Sequence, residues 1–197
     1  MIKRAFDVLF SLLGVILLAP LIGLIALIIK LDSKGPVLFI QPRVGLNNKD
    51  FHIFKFRTMY IASDKKGLLT IGNRDARVTT FGYYLRRYKL DEIPQLLNVL
   101  KGDMSFVGPR PELRKYVNYY SKEDFILFTV KPGITGLASI KFRNEVELLK
   151  ASKNPEDYFI NVIIPEKNAL NKIYISKYNF WFDLKLIVIT IYKVLLK

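Results

Sequence analysis

Residues 8–29 read VLFSLLGVILLAPLIGLIALII, and this run decides how the chain begins to fold because it contains no charged residue. As a straight helix, its 22 residues would be about 33 Å long, which is enough to cross the hydrocarbon core of a bilayer. The run is too long for the apolar core of a signal peptide, and Lys30-Leu31-Asp32 follows it in place of a small-residue cleavage site. The sequence therefore predicts a membrane helix here.

Pro20 lies in the middle of this run, where it removes a backbone donor and clashes with the preceding turn, so the helix should bend there. Positive charges flank the run on both sides, with Lys3 and Arg4 before it and Lys30 and Lys34 after it. Because both ends are positive, the positive-inside rule assigns no orientation. Two arrangements satisfy these observations: a re-entrant helix that bends at Pro20 and returns to the same face, and a kinked helix that spans the bilayer.

The composition indicates a single membrane-associated domain with an anionic partner. The 197 residues are 51% hydrophobic, and 31 Lys and Arg against 17 Asp and Glu give a formal net charge of +14. Such a charge favours nucleic acid, anionic lipid headgroups or phosphorylated substrates. The absence of cysteine excludes disulfides and thiolate metal sites, and the single histidine, His52, excludes a Ser-His-Asp triad or a histidine-based metal centre.

The rest of the chain predicts a mostly helical α+β domain with one short β-hairpin. The predicted elements are hairpin strands at Val37–Gln41 and Phe51–Phe56, a loop at 61–78, and helices at Thr80–Tyr88, from Leu90 to an end at Gly102, and at Pro111–Phe128. The C-terminal segment Leu184–Leu196 follows three aromatic residues and carries spaced lysines. It is either an interfacial membrane helix or a buried core helix.

The adjacent carboxylates Asp91 and Glu92 are the first candidates for chemistry. One interpretation is structural, with Asp91 capping a helix and Glu92 favouring its positive end. The other is chemical, because adjacent carboxylates repel and need a cation, and Arg86 and Arg87 lie just upstream. Such a pair can hold a divalent metal ion through one carboxylate and leave the other free to attack.

Arginines near predicted turns and strands are candidates for binding phosphate groups: Arg43, Arg57, Arg86, Arg110 and Arg143. They form either a solvated basic surface or a set of phosphate clamps, for which the planar guanidinium group is suited. Arg110 favours the second interpretation, since prolines on both sides hold it in a rigid turn.

Six segments in series resemble one known family over nearly the whole chain. They are GPV at 35–37 with RVG at 43–45, KFRTM at 55–59, LDEIPQ at 90–95, NVLKGDMSFVGPRP at 98–111, KPGITG at 131–136 and WFDLK at 181–185. In this order and spacing they resemble the monotopic polyprenyl-phosphate phosphoglycosyl transferases, the bacterial sugar transferase family, in its minimal catalytic-domain form.

That resemblance implies a role for each candidate residue. Asp91 would be the catalytic nucleophile, and Asp91 and Glu92 would hold Mg²⁺. The basic residues around the phosphates of the substrate would be Arg57, Arg86, Arg110 and Arg143. Asp183 would support either the substrate site or the structure around it. The family also implies a re-entrant helix in residues 1–35, bent at Pro20, and a catalytic domain in residues 36–197 on the cytoplasmic face of the bacterial inner membrane.

The implied reaction moves a sugar-1-phosphate from a UDP-sugar, expected to carry an N-acetylated amino sugar, to undecaprenyl phosphate. UMP would be released, and ping-pong kinetics would follow from a covalent phosphosugar on Asp91. The implied partners are the UDP-sugar, undecaprenyl phosphate and the phospholipid membrane, without nucleic acid. The product would begin the biosynthesis of a glycoprotein, capsule, O-antigen or exopolysaccharide. The sequence leaves the sugar, the pathway and the formation of a homo-oligomer open.

Two departures and two rival functions accompany this interpretation. Asn171 stands where the family often has Asp, and residues 145–172 are longer than in its smallest members, so we expect this segment to shape sugar choice or membrane contact. One rival is a membrane-anchored basic module that binds nucleic acid or anionic lipid without catalysis. It explains the charge but not Asp91 and Glu92 beside arginines. The other is a polytopic lipid phosphotransferase, which a single certain membrane segment disfavours.

Overall fold

The computed structural model describes residues 2–63, 67, 69–72 and 75–195. Its helices are α1 (Ile2–Asp32), α2 (Thr80–Arg87), α3 (Gln95–Lys101), α4 (Arg114–Val117), α5 (Leu137–Lys141), α6 (Glu145–Ala151), α7 (Pro155–Tyr158), α8 (Ile164–Ser176) and α9 (Phe180–Leu195). Its strands are β1 (Leu38–Val44), β2 (Asp50–Phe56), β3 (Ser105–Val107) and β4 (Gly133–Thr135). Short 3₁₀ segments lie at Leu46–Asn48, Leu90–Glu92 and Lys122–Thr129, and a π-helical turn lies at Phe159–Ile163. The predicted mostly helical α+β fold with a hairpin is confirmed.

Helix α1 is continuous through Pro20 and packs against the rest of the chain along one side only. Its buried residues, Asp7, Ser11, Ile25 and Ile29, lie on that side because their spacing follows the helical repeat. The opposite side exposes large apolar residues: Leu9, Phe10, Leu13, Ile16, Leu17, Leu24, Leu27 and Leu31. Among the described residues, α1 is the one helix long and apolar enough to cross a membrane, and only 11% of its most apolar window is buried.

Both ends of α1 are tied to the same domain by polar contacts. At the start, Lys3 forms an ion pair of 2.6 Å with Asp183 in α9. Arg4 donates to the last-turn carbonyl groups of α3, which lack partners within that helix. At the other end, Arg57 donates to the carbonyl oxygen of Ser33 over 2.7 Å. Both ends of the helix are therefore fixed to the domain.

The hairpin of β1 and β2 is antiparallel, and Leu38 pairs with Phe56 at its open end. Each strand extends beyond its predicted bounds toward the turn, where Asn47 and Asn48 adopt positive φ, a conformation that asparagine tolerates well. Helix α3 is fixed to β2 by Asn98, whose side chain accepts from the Phe54 amide over 2.9 Å and donates to another β2 carbonyl over 2.7 Å. This packing sets the position of the turn that precedes α3.

Strands β3 and β4 form a second, parallel pair that the sequence did not predict. The loop that follows β3 is packed so closely against the first residue of β4 that a β-carbon on Gly133 would lie 2.0 Å from the Gly108 amide nitrogen. Only glycine permits this approach of two backbones. The contact fixes where the Pro109–Pro111 turn leaves the sheet, and with it the position of Arg110.

The single helix predicted at Pro111–Phe128 is wrong. The structure contains the short α4 at Arg114–Val117 and a separate 3₁₀ segment at Lys122–Thr129. Ser121 begins the second segment with a capping box, in which its side chain bonds to the Asp124 amide and the Asp124 carboxylate accepts from the Ser121 amide. A serine whose side chain competes for backbone donors starts a new segment more readily than it continues a helix.

Helix α9 has surface features that fit both alternatives predicted for the C-terminal segment. One face is buried in the core through Leu186 and carries the buried Asp183. The other face exposes Trp181, Val188 and Tyr192. The helix is therefore amphipathic, with an aromatic and aliphatic surface that suits the interface of a bilayer.

Candidate active site

Asp91 and Glu92 lie in the 3₁₀ turn between α2 and α3. Lys89 precedes this turn in the left-handed conformation, with φ 58°, and turns the chain sharply after α2. Helix α3 begins only at Gln95, and its N-cap is Pro94. Asp91 is therefore not a helix cap, so the structural interpretation of this carboxylate is wrong.

Glu92 is neutralised by two cations. Arg110 reaches it with both terminal nitrogens, at 3.2 Å from Nη1 to Oε2 and 2.5 Å from Nη2 to Oε1. Lys55 donates to Oε1 over 3.1 Å. Burial alone would raise the pKa of Glu92, but Arg110 and then Lys55 outweigh it and hold the pKa well below its ordinary value. Glu92 is therefore ionised and held in place.

Asp91 is in a different state from its neighbour. It is 8% exposed, and its Oδ1 has no hydrogen-bond partner in the described part of the chain. Burial raises its pKa, and the Glu92 charge raises it further against the opposing effect of Lys55. A buried carboxylate with a free oxygen is less stabilised as an anion than a solvated one, and it is correspondingly more nucleophilic.

These residues open into a cavity of about 800 Å³. Six of the seven predicted site residues line it: Arg57, Arg86, Asp91, Glu92, Arg110 and Arg143. Leu18 of α1 and Leu38 of β1 also reach the cavity wall, so the cavity extends from α1 into the domain. A site of this size is in the range of small-molecule pockets, which are typically about 300–1,000 Å³.

The predicted arginines differ in their surroundings. Arg86, in the last turn of α2, lines the cavity, and its charge lowers the pKa of Asp91 against the larger effect of burial. Arg143 also lines the cavity, and its buried Nε has no partner within the described residues. Arg57 is 6% exposed and donates through Nη2 to α1 carbonyl groups, so its terminal nitrogen holds the end of that helix.

Asp183 does not line the cavity. It accepts from Lys3 and, over 2.7 Å, from the Tyr174 hydroxyl group. Burial and the Asp183 carboxylate raise the pKa of Tyr174 far above its ordinary value, which keeps the phenol protonated as a donor. These contacts join α1, α8 and α9, and they favour the structural role among the two that the sequence left open.

Sequence reasoning did not identify individually several charged residues of the cavity wall: Lys55, Glu112, Glu145 and Lys167. Glu145 and Lys167 lie in the segment 145–172, which we expected to shape sugar choice or membrane contact. Among single residues, Lys55 had a local signal, since it stands between Phe54 and Phe56 in β2. Lys167 and Glu112 form an ion pair although they lie 55 residues apart in sequence. No local pattern predicts such a contact.

Asp91 and Glu92 fit a magnesium site in which the substrate would supply the remaining ligands. No group of three metal-binding side chains is present among the described residues. Mg²⁺ is nevertheless commonly held by one or two carboxylates together with substrate phosphates and water. The unpartnered Oδ1 of Asp91 supplies one free ligand, whereas both Glu92 oxygens already accept from cations. Asp91 is thus the better-placed ligand of the two.

Known proteins are similar to this chain over most or all of its length. The model of the bacterial sugar transferase family matches residues 1–197. The undecaprenyl-phosphate glucose phosphotransferase of Komagataeibacter xylinus is 43% identical over 96% of this chain and 35% of its own length. The UDP-N-acetylgalactosamine-undecaprenyl-phosphate N-acetylgalactosaminephosphotransferase of Aeromonas hydrophila is 45% identical over 71% of this chain and 34% of its own.

A third relative is nearer in length. The UDP-glucose:undecaprenyl-phosphate glucose-1-phosphate transferase of Caulobacter vibrioides is 39% identical over 96% of this chain and 68% of its own length. The chain thus spans about a third of the first two relatives and two thirds of the third. The match over every residue of the chain, together with these identities, shows that it belongs to the bacterial sugar transferase family.

Proposed function

We propose that the chain transfers a sugar-1-phosphate from a UDP-sugar to undecaprenyl phosphate and releases UMP. The observation that carries this proposal is the pair of unlike carboxylates, with Asp91 buried and partly unpartnered while Glu92 is fixed by Arg110 and Lys55. The names of the three relatives describe this class of reaction. Among UDP-sugars we propose an N-acetylated amino sugar, in keeping with the name of the Aeromonas relative.

The reaction proceeds in two displacements at one phosphorus. An Asp91 oxygen attacks the sugar-bearing phosphorus, the phosphoanhydride bond breaks, and UMP leaves with the bridging oxygen. An oxygen of undecaprenyl phosphate then attacks the same phosphorus, and the Asp91 carboxylate is released as the diphosphate-linked sugar forms. Neither step requires a net proton transfer. A covalent enzyme intermediate of this kind produces ping-pong kinetics.

The cavity supplies the charge that these displacements need. Arg110 is 31% exposed in its side chain, so it can contact a substrate phosphate while it holds Glu92. The Glu92 charge raises the pKa of Arg110, which stays a cation throughout. Fixed cations aimed at a developing phosphoryl charge stabilise a transition state without reorganising. Mg²⁺ bound through Asp91 and Glu92 would add Lewis-acid screening of the diphosphate.

We propose that α1 stays at one face of the membrane as a re-entrant helix. Its contacts with the domain run from Lys3 to Ser33, whereas a spanning helix would leave half of its length in lipid, away from a domain on one side. The exposed apolar face of α1 then lies in the bilayer, and Pro20 allows the bend. We propose further that this face is the cytoplasmic face of the bacterial inner membrane.

Cysteine labelling tests this topology without background, because the chain contains no cysteine. Ile2→Cys and Lys34→Cys, at exposed positions on either side of the apolar run, should both react with an impermeant maleimide from the cytoplasmic side of inverted vesicles. Lys153→Cys on the exposed domain surface is the matched control. Reaction of one α1 position from the opposite side would show a spanning helix and contradict the proposal.

The reaction itself is tested with purified protein, undecaprenyl phosphate and a panel of UDP-sugars. We expect UMP release from one donor class, and the release should stop when EDTA removes divalent metal and return when Mg²⁺ is added. UDP-N-acetylgalactosamine and UDP-glucose separate the two sugar classes. UMP release from UDP-glucose alone would contradict the amino-sugar proposal. Absence of UMP release from every donor would contradict the proposed reaction.

A further inference from the structure

One wall of the cavity contains a charged cluster that the proposed displacement does not use. Lys167 is 5% exposed and donates to Glu112 and, over 3.1 Å, to Glu145. Arg43 lies 3.7 Å from the second oxygen of Glu112. All four side chains line the cavity. Two cations and two carboxylates cancel, so this wall is polar but carries no net charge.

This wall differs in kind from the region around the dyad. There, Lys55, Arg86 and Arg110 outnumber the two carboxylates, which suits an anionic diphosphate. A neutral wall that includes a partly exposed carboxylate offers nothing to a phosphate, and it repels one at Glu145. It does suit the hydroxyl groups of a neutral ligand, since a carboxylate is a strong acceptor for them.

Further unpartnered polar atoms lie at the same cavity. Within the described residues, the Tyr116 hydroxyl oxygen, the Ser139 hydroxyl oxygen and the Arg143 Nε are buried without a hydrogen-bond partner. Tyr116 is 2% exposed, and burial raises its pKa to about 12, so it is protonated. Buried polar groups without partners are costly, and a polar ligand would satisfy them.

The position of the wall distinguishes the sugar from the other parts of the substrate. Arg110 contacts Glu92, and the charges of Glu112 and Glu145 raise the pKa of Arg110. The wall therefore begins next to the phosphate site. The Lys167 ammonium group lies 5.2 Å from the centre of the Phe159 ring. Phe159 belongs to an apolar cluster with Tyr116 and Leu149, and this cluster includes no residue of α1. UMP leaves and the lipid arrives during the reaction, and the lipid must come from the side of α1. The end away from α1 is left for the group that stays bound through both displacements, which is the sugar.

We propose that Glu145, held by Lys167, accepts hydrogen bonds from hydroxyl groups of the sugar and determines which sugar is transferred. Glu145 is the member of the cluster with the most exposed side chain, at 28% against 9% for Glu112 and 7% for Lys167. Lys167 is a positioning residue, because it fixes Glu145 without being exposed itself. This inference rests on the proposed transfer reaction and names the sugar-binding part of its site.

The test measures UMP release by the full chain in detergent with undecaprenyl phosphate. Its donors are UDP-N-acetylgalactosamine, UDP-glucose and analogues of the preferred donor that each lack one sugar hydroxyl group. For Glu145→Gln we expect kcat/KM of the preferred donor to fall about 10- to 100-fold, as for loss of a hydrogen bond to a charged group. The analogue that lacks the contacted hydroxyl should be used equally by the unchanged chain and the variant. Inhibition by UDP, which has no sugar, should stay within about twofold.

Two further variants control for folding and for general charge. Glu145→Asp keeps the charge but withdraws the carboxylate by one methylene, and it should reproduce the loss with an unchanged melting temperature. Glu166→Gln removes a carboxylate of the same segment that pairs with Lys141 at the surface, and it should leave the donor profile intact.

Other outcomes would contradict the assignment. For each analogue, the fall in kcat/KM relative to the complete donor can be compared between Glu145→Gln and the unchanged chain. If this fall were the same in both proteins for every analogue, Glu145 would not contact the sugar. The same would follow if inhibition by UDP weakened in parallel with kcat/KM. Failure of the unchanged chain to release UMP from any donor would contradict the proposed reaction itself. If the unchanged chain is active and Glu145→Gln depends on each sugar hydroxyl group as the unchanged chain does, only the role of Glu145 is contradicted.

Discussion

Asp91→Asn should abolish release of UMP from every UDP-sugar, with a loss of about 10⁴-fold or more, as expected when a covalent nucleophile is removed. The amide has nearly the same size as the carboxylate, so the buried turn should still fold. It cannot form the bond to phosphorus, because its oxygen is a poor nucleophile and its nitrogen is not basic. The measurement is UMP release under saturating donor and lipid.

The same variant tests the covalent intermediate directly. Without lipid, the unchanged chain should release about one UMP per active site and retain a labelled phosphosugar that mass spectrometry locates on Asp91. Asp91→Asn should retain no label. Asp50→Asn is the matched control, because this carboxylate of the hairpin is half-exposed and pairs with Arg114 of α4. Turnover by Asp91→Asn within tenfold of the unchanged chain would show that another group attacks.

Lys167→Met should lower the free energy of unfolding by about 3–5 kcal/mol, the usual cost of leaving a buried charge without its partner. Lys167 is the only cation within hydrogen-bond distance of Glu112 in the described part of the chain, since Arg43 approaches no closer than 3.7 Å. The electrostatic effect of Glu112 and Glu145 raises the pKa of Lys167 despite its burial. The measurement is thermal or denaturant unfolding of the full chain in detergent.

A second substitution separates charge from packing in this prediction. The double variant Lys167→Met, Glu112→Gln removes one charge of each sign and should recover most of the lost stability, because an uncharged buried pair costs little. Even when it folds, the double variant should keep an altered donor profile, since Glu145 has lost the group that positions it. A loss under about 1 kcal/mol in the single variant would show that water already solvates the cluster.

Local patterns were sufficient for the elements that are stabilised locally. The hairpin follows from two short apolar strands around a turn rich in Gly and Asn, and α3 ends at Gly102, which adopts φ 96°. The prediction of one helix at Pro111–Phe128 was wrong because it relied on apolar spacing, which takes no account of the capping serine in the middle of the segment. The β3–β4 pair was missed since its two strands are only three residues long and distant in sequence.

The candidate site was predictable to the extent that its residues stand in contiguous motifs. Asp91 and Glu92 were evident as adjacent carboxylates, and Arg110 as a cation between prolines, but the bond between Glu92 and Arg110 was not. The sequence treated Arg57 as equivalent to Arg110, whereas burial against the end of α1 gives it a different neighbourhood. Which cation meets which carboxylate depends on tertiary packing, and spacing along the chain does not specify it.

The link between Arg57 and Ser33 has a consequence for the height of the reaction above the bilayer centre. The buried Arg57 side chain joins the end of α1 to the wall of the cavity, so the two are not connected by a flexible linker alone. Under the proposed topology and reaction, the distance between the lipid headgroups and Asp91 is therefore set when the protein folds. Thicker or thinner bilayers should tilt or strain the whole protein together, while the reach from Asp91 to an incoming lipid phosphate stays constant.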